Sequence, residues 1–198
     1  WRRNVAGQLL GTEAEPDQIV AAQWNGTAWT TPTTAIDDLV GLVDFSVASQ
    51  ASNNAVIAYA RELTAANGIS VTSEVFYSEW DGVHWSAPIT LTDDGLENTS
   101  PRALFLPSGE LGVLFIAGGR LALLNAFTLQ VWQGPQISDG DFRLAQDGDS
   151  NLLVTWAAAG SGRLDLYFAV FDLSAGLWSR KIQLTGAEGR DEYDAPAF

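Results

Sequence analysis

The sequence predicts an all-β protein, a β-propeller of four-stranded antiparallel blades. Three observations predict it: an internal repeat of about fifty residues, short β-rich runs that follow turn clusters, and the absence of any helical apolar period. Four antiparallel strands in each repeat, with a Trp on the last strand, describe a propeller blade. A β-sandwich of the same length would lack a repeat in phase.

The repeat is clearest around paired tryptophans. Trp24-Asn-Gly-Thr-Ala-Trp29-Thr-Thr-Pro32 matches Trp80-Asp-Gly-Val-His-Trp85-Ser-Ala-Pro88 position by position. The second Trp of the pattern recurs at separations of 56, 47 and 46 residues, and its four positions are Trp29, Trp85, Trp132 and Trp178. Repetition at one blade position favours packing between neighbouring sheets over the stacking of sugars on these rings.

A second marker begins each unit, in phase with the first. It comprises Asp44-Phe-Ser-Val-Ala48, Ser100-Pro-Arg-Ala-Leu104, Asp141-Phe-Arg-Leu-Ala145 and Asp194-Ala-Pro-Ala-Phe198. In the first three units an aromatic residue, Tyr59, Phe115 or Trp156, follows twelve residues after the fourth position. Trp1 aligns with these aromatic residues. We therefore expect blades at about 44–92, 100–138 and 141–185, and parts of a fourth at about 1–36 and 194–198.

Those two parts allow two arrangements. They pair and close a four-bladed ring, or the chain is a segment of a larger propeller. The missing hairpin between them favours the segment, whose partners would be the remaining blades of a longer chain or a second copy. Blade count and oligomeric state stay open at this point.

Composition excludes several functional classes. The net charge is −14, from 24 acidic against 10 basic residues, which argues against nucleic acid and anionic membranes as partners. Without Cys and with a single His, His84, Cys-ligated metals and Ser–His–Asp chemistry are poor candidates. No apolar run is long enough to span a membrane.

The units resemble blades of the sialidase-like, Asp-box superfamily of bacterial β-propellers. The Asp-box pattern is S-x-D-x-G-x-x-W, and Ser78-Glu-Trp-Asp-Gly-Val-His-Trp85 keeps its Ser, Gly and Trp. It departs at the third position, where Trp80 replaces Asp. The resemblance implies a propeller fold. Together with the acidity, the lack of Cys and the single Lys, it leads us to expect a secreted or cell-surface protein.

Acidic residues concentrate in the loops that join each outer strand to the next inner strand. The loops 37–44, 93–100, 139–141 and 186–194 hold twelve of the 24 acidic residues, and in a propeller they gather at one mouth of the channel. Clustered carboxylates attract cations, so Ca²⁺ or a polyhydroxylated ligand is one hypothesis for this mouth. The other is a set of solvated, solubilising loops.

Arg102 and Arg143 each occupy the third position of a predicted inner strand, so they should project equivalently from neighbouring blades. Sialidases are similar in holding a substrate carboxylate with inner-strand arginines, beside a Tyr nucleophile, its Glu partner and an Asp acid/base. The residues that would complete such a ligand site are Asp44, Glu97, Asp141, Tyr193 and Asp194. Only two such arginines are present and the family's early F/Y-R-I-P segment is absent. We therefore expect the positive charge of the arginines to offset the negative charge of the acidic loops at this mouth. We assign no catalytic residue.

One loop resembles a calcium-binding loop. Asp147-Gly-Asp-Ser-Asn151 matches the opening of a D-x-D-x-D-G loop through Asp147, Asp149 and Asn151. Leu152 occupies the position at which the calcium-loop pattern requires Gly, and no Glu that could act as a ligand follows at the usual distance. We expect a hairpin turn here and no cofactor, with Ca²⁺ as the alternative.

The function expected from these observations is a non-catalytic binding or display module of a larger extracellular bacterial protein, with a carbohydrate or a protein as its ligand. Two alternatives remain. One is a segment of a sialidase-like glycoside hydrolase, which needs one asymmetric pocket with converging Arg, Tyr and carboxylate groups. The other is a carbohydrate-binding propeller lectin, which needs near-equivalent aromatic sites repeated between blades.

Overall fold

The computed structural model describes residues 1–4, 11–51, 53–64, 71–137, 141–160 and 163–185. Throughout these residues the regular structure is β-strand, and they contain no helix. The all-β prediction is therefore confirmed. Since helices are absent from the described residues, none there is long and apolar enough to cross a membrane.

The sixteen strands in the described part of the chain form four antiparallel sheets, and none of these sheets closes on itself there. Sheet 1 contains β1 (Arg2–Asn4), β2 (Asp17–Ala21) and β3 (Thr33–Leu39). Sheet 2 contains β4 (Leu42–Ala51), β5 (Asn54–Thr64), β6 (Val71–Trp80) and β7 (Ile89–Thr90). Sheet 3 contains β8 (Asn98–Phe105), β9 (Leu111–Ala117), β10 (Arg120–Asn125) and β11 (Val131–Gln136). Sheet 4 contains β12 (Arg143–Gln146), β13 (Leu152–Gly160), β14 (Arg163–Asp172), β15 (Leu177–Trp178) and β16 (Ile182–Gln183).

Strand order follows chain order in every sheet, so each sheet is a meander. In sheet 4 the outer position is divided, because β15 and β16 both pair with β14. The register explains the constant gap of twelve residues in the sequence. Val47 lies opposite Ile57, Ala103 opposite Val113 and Leu144 opposite Val154, so the same cross-strand pairing recurs in three sheets.

Among the described residues the apolar core is divided into three clusters, one between each pair of consecutive sheets. The cluster between sheets 1 and 2 includes Ile19, Ile36, Ile57, Tyr59 and Phe76. The cluster between sheets 2 and 3 includes Val56, Ala58, Val113, Phe115 and Leu124. The cluster between sheets 3 and 4 includes Leu114, Leu121, Val154, Trp156 and Phe171. Sheets 2 and 3 thus contribute to a core cluster on each face, and the central strands β9 and β10 of sheet 3 are nearly continuous apolar runs.

A side-chain turn lies at or after the end of β2 in sheet 1, β6 in sheet 2, β10 in sheet 3 and β14 in sheet 4. The side-chain oxygens of Asn25, Asp81, Asn125 and Asp172 each accept backbone N–H groups two or three residues further on, at 2.7–3.0 Å. Asn and Asp favour such turns because their short side chains reach these amides. In the two tryptophan hairpins the next residue is glycine at φ +96° and +98°, a conformation that a Cβ atom disfavours.

Candidate functional site

The first strands of sheets 2 and 3 lie beside each other, and this brings the predicted ligand residues together. The backbone N–H of Ala103 on β8 donates to Ser46 Oγ on β4 at 2.8 Å. Arg102 lies in the middle of β8, and Arg143 is the first residue of β12.

Four of the predicted site residues form a row of alternating charge, which we call the charged row. Arg102 Nη1 lies 2.7 Å from Asp44 Oδ2, and Arg102 Nη2 lies 3.8 Å from Asp141 Oδ1. Arg143 Nη1 lies 2.7 Å from the same Asp141 oxygen. The row therefore extends across sheets 2, 3 and 4 in the order Asp44, Arg102, Asp141, Arg143.

The two arginines project in the same way from neighbouring sheets, as their positions in the repeat predict. In each, Nη1 donates to the carbonyl oxygen of the preceding residue, Pro101 at 3.0 Å and Phe142 at 3.3 Å. The Arg102 guanidinium carbon also lies 5.6 Å from the centre of the Phe142 ring, within cation–π range. These contacts fix the direction of both side chains.

The charged row is open to solvent. Side-chain exposure is 25% for Arg102, 38% for Asp44, 43% for Arg143 and 60% for Asp141. Exposed ion pairs contribute about 0–1 kcal/mol each to stability, so the row aligns the sheets more than it stabilises them. A ligand carboxylate that approaches either arginine meets a guanidinium that is already paired with an aspartate.

The other predicted ligand residues are not part of this row. The Glu97 side chain is exposed, while its backbone carbonyl accepts the N–H of Gly118 at 2.9 Å. Tyr193 and Asp194 lie outside the described residues.

A buried carboxylate that the sequence analysis missed holds one of the acidic loops. Glu74, on β6, is 2% exposed and accepts hydrogen bonds from the Thr92 hydroxyl at 2.5 Å, the Gly95 amide at 3.2 Å and the Asn98 amide at 3.0 Å. A buried carboxylate is tolerated where such donors replace its lost hydration. The sequence signal that could have identified Glu74 is an acidic residue near the start of an apolar run.

Asp17 has the corresponding role at the start of β2. It is fully buried and accepts hydrogen bonds from Arg2 at 2.5 Å, Gly11 at 2.8 Å and Asn4 at 3.0 Å. Burial raises its pKa, but the hydrogen bonds from Arg2 and Asn4 outweigh this effect and hold the pKa below its usual value. Asp17 therefore remains ionised and ties β1 to the loop that precedes β2.

The predicted calcium-loop residues form a hydrogen-bonded turn. Asp147 Oδ1 accepts the amides of Asp149 at 2.9 Å and Asn151 at 2.8 Å, and its Oδ2 accepts Asn151 Nδ2 at 3.0 Å. The Asn151 side chain is the largest of the causes that lower the pKa of Asp147. Within the described residues no three His, Cys, Asp or Glu side chains are grouped closely enough to hold a metal. Calcium binding by this loop remains a sequence-based hypothesis.

The four repeated tryptophans have different surroundings. Trp85 packs against the core between sheets 1 and 2, and both Trp132 and Trp178 pack against the core between sheets 3 and 4. Trp178 Nε1 also donates to the backbone carbonyl of Trp132 at 3.1 Å, and its ring occupies the space in which Gly134 would carry a Cβ. Trp29 is 68% exposed, which departs from the expected packing between sheets.

An apolar cavity of about 520 Å³ opens between sheets 1 and 2. Thr30 supplies the only hydroxyl-bearing side chain among its described lining residues. The lining consists of Trp1, Ile19, Val20, Ala21, Ala22, Trp29, Thr30, Pro32, Phe45, Val47 and Ile57. The cavity is therefore suited to an apolar occupant.

Comparison with known proteins does not assign the chain to a family or a function. No model of a known protein family matches the chain. No curated protein matches it either.

Proposed function

We propose that the four sheets are successive blades of a sialidase-like β-propeller and that the chain is a non-catalytic binding or display module of a larger extracellular bacterial protein. Supporting this architecture, each core cluster joins two consecutive sheets, and the first strands of sheets 2 and 3 lie side by side. The expectation of a secreted or cell-surface location rests on composition and on the resemblance.

The aspartates and arginines of the charged row neutralise one another, and this observation favours a binding module over an enzyme. A sialidase-type site needs inner-strand arginines that are available for a substrate carboxylate. Here Asp44 and Asp141 contact Arg102, and Asp141 also contacts Arg143 at 2.7 Å. A substrate carboxylate would compete with these aspartates for the guanidinium groups, and ion pairs between exposed groups are weak.

Hydrolysis of fluorogenic sialosides and neutral glycosides, together with calorimetric titration with sialyllactose, tests this proposal. We expect no hydrolysis and no saturable binding by the natural sequence. The double variant Asp44→Asn/Asp141→Asn should show saturable binding of the sialoside, because the arginines lose their carboxylate partners. Hydrolysis by the natural sequence that Arg102→Ala abolishes would establish the enzyme instead.

The lectin alternative is favoured by one observation, the aromatic lining of the cavity between sheets 1 and 2. Trp1 and Trp29 expose large apolar faces of the kind that stack on pyranose rings. Saturable binding of a neutral sugar that Trp29→Ala removes and Trp24→Ala leaves intact would support a lectin and contradict the display module.

A further inference from the structure

The three core clusters of the described residues are contacts of one kind. In each, a sheet contributes the face that points to the next sheet along the chain, which we call its trailing face. The next sheet contributes the opposite face, which we call its leading face. Val75 lies on the trailing face of sheet 2 and Leu121 on that of sheet 3, and both side chains are 0% exposed. In this fold, therefore, a leading face is what covers a trailing face.

The trailing face of sheet 4 is apolar but is not covered in this way. Leu166 on β14 has the register position that Val75 has on β6 and Leu121 has on β10. It is nevertheless partly exposed, and Leu164 on the same face is 50% exposed. Ile182, which pairs with β14 on this face, is 37% exposed. No core cluster of the described residues contains Leu164, Leu166 or Ile182.

Sheet 1 repeats the leading face of sheet 2. Trp1 pairs with Val20 in sheet 1 as Tyr59 pairs with Phe76 in sheet 2. Successive side chains of a strand point to opposite faces, so Val20 lies on the face opposite Ile19, and Ile19 belongs to the core shared with sheet 2. Val20 therefore marks the leading face of sheet 1, as Phe76 marks that of sheet 2.

The two leading faces also share a tryptophan and an arginine. Trp29 and Trp85 occupy the same place in hairpins of the same nine-residue pattern. Trp85 packs against the core that sheet 2 shares with the preceding sheet, whereas Trp29 is 68% exposed. Arg3 has the register position of Arg61, whose Nε is buried, so a covered leading face accommodates an arginine there. Sheet 1 thus has the side chains that accept a preceding sheet.

We propose that the trailing face of sheet 4 binds the leading face of sheet 1 in a second copy of this chain. Two copies then form a closed ring of eight sheets, in which two identical contacts of this kind join the copies. This inference rests on the proposed propeller architecture, and eight sheets lie within the usual range of about four to eight blades. Head-to-tail contacts form closed rings when their rotation closes, as two identical half-rings require.

The exposure of both faces favours a second copy over the chain's own sheets. In the single chain Leu164 remains 50% exposed and Trp29 remains 68% exposed, so sheet 4 does not cover sheet 1 of the same molecule. A contact between two copies of sheet 4 would join two trailing faces, an arrangement that none of the three described clusters has. It would also leave Trp29 uncovered. A second copy joined head to tail covers both faces at once.

Sedimentation equilibrium of the full chain tests the contact from both sides. We expect the natural sequence to form a dimer, and Leu164→Glu and Trp29→Glu should each raise its dissociation constant about 10-fold or more, because each places a charge within an apolar contact. Phe127→Glu is the matched control. It adds the same charge at a hairpin tip of sheet 3, where Phe127 is 80% exposed, and should leave the dissociation constant unchanged.

Thermal unfolding of the same variants separates loss of the contact from loss of the fold. At protein concentrations below the dissociation constant, both side chains are exposed in the single chain. Leu164→Glu and Trp29→Glu should therefore keep the natural unfolding midpoint within about 1 °C there. At concentrations above the dissociation constant only the natural sequence and Phe127→Glu should gain stability from association, because a partner that binds the folded state raises the midpoint.

Each result decides the proposal. Dimers that both substitutions weaken support it. A natural sequence that stays monomeric overturns it, as does an assembly of more than two copies. A dimer that Leu164→Glu weakens and Trp29→Glu does not would be a contact between two copies of sheet 4, which also overturns it. The glycoside assays above do not depend on self-association, so failure here leaves the binding-module proposal to its own test.

Discussion

Two hairpins with the same nine-residue pattern differ in the burial of their second tryptophan. In sheet 1 the rings of Trp24 and Trp29 lie 5.8 Å apart, and in sheet 2 those of Trp80 and Trp85 lie 5.5 Å apart. Both hairpins use an Asx turn and a glycine at positive φ. Yet Trp29 is 68% exposed, whereas Trp85 packs against the core between sheets 1 and 2.

The difference shows that the geometry of each hairpin depends on residues within it, whereas the burial of its second Trp depends on contacts with other parts of the chain. In both hairpins a hydroxyl after the second Trp accepts the backbone N–H of the residue that precedes the first Trp. Thr30 accepts from Gln23 at 2.9 Å, and Ser86 accepts from Glu79 at 3.0 Å. These contacts lie within each hairpin and form whether or not another sheet is present. The ring of the second Trp contributes packing energy only where a neighbouring sheet meets it.

The largest effect expected from this comparison is the difference in free energy of unfolding between variants that remove the two equivalent rings. Trp85→Ala should lower the free energy of unfolding by about 2–3 kcal/mol, less than a fully buried Trp because the ring is only half-buried. Trp29→Ala should cost below about 0.5 kcal/mol. Urea denaturation of both variants measures the difference, and equal losses would show that the surroundings of the two rings do not differ.

An intermediate effect is expected at the turn glycines. Gly26→Ala and Gly82→Ala each place a Cβ at φ near +97°, which costs about 1–2 kcal/mol. At Gly82 the added Cβ would also lie 3.0 Å from the Cβ of Asn53, whereas at Gly26 nothing lies within 4 Å. Gly82→Ala should therefore be the more destabilising, as measured by the urea midpoint. The reverse order would mean that the Asn53 turn moves freely.

The smallest effect is a pH dependence. Hydrogen bonds from the backbone amides of His84 and Val83 lower the pKa of Asp81 below 3.8. Because the folded pKa is depressed, this ionised carboxylate stabilises the fold above about pH 4, and the contribution is lost as pH falls through the lowered pKa. Asp81→Asn, which copies Asn25 of the other hairpin, should therefore destabilise slightly at pH 7.

The stabilities of Asp81→Asn and of the natural sequence should become similar at acidic pH. The unfolding midpoints of Asp81→Asn and the natural sequence should approach each other as pH is lowered below the depressed pKa, because both turns are then neutral. An unchanged gap between pH 7 and acid would show that the carboxylate charge does not matter to the turn. Asn25→Asp provides the converse test, since it should create a pH-dependent turn in sheet 1.

The sequence predicted those parts of the fold that depend on local pattern. The repeat of Trp29 and Trp85, the first-strand markers and the fixed position of Tyr59 indicated strands and their phase, and the all-β prediction is confirmed. These features could be predicted because turn chemistry and alternation act over a few residues. The closure of the sheets into a propeller remains a proposal.

The candidate site was predicted only in part, because its contacts are distant in sequence. Equivalent projection of Arg102 and Arg143 followed from the repeat, but the ion pair from Arg102 to Asp44 joins residues 58 positions apart. Glu74 was missed because a buried carboxylate depends on donors supplied by a later loop. The exposure of Trp29 likewise depends on what packs against sheet 1, which no local pattern contains.

The division of the core into three interfaces has a consequence for how such chains vary in length. Each described cluster joins consecutive sheets only, so stability approximates a sum of terms for single sheets and nearest neighbours. Inserting one whole repeat would replace one interface with two of the same kind and leave the others unchanged. A chain of this design can gain or lose units of about fifty residues by recombination, whereas a deletion of half a unit would expose two apolar faces.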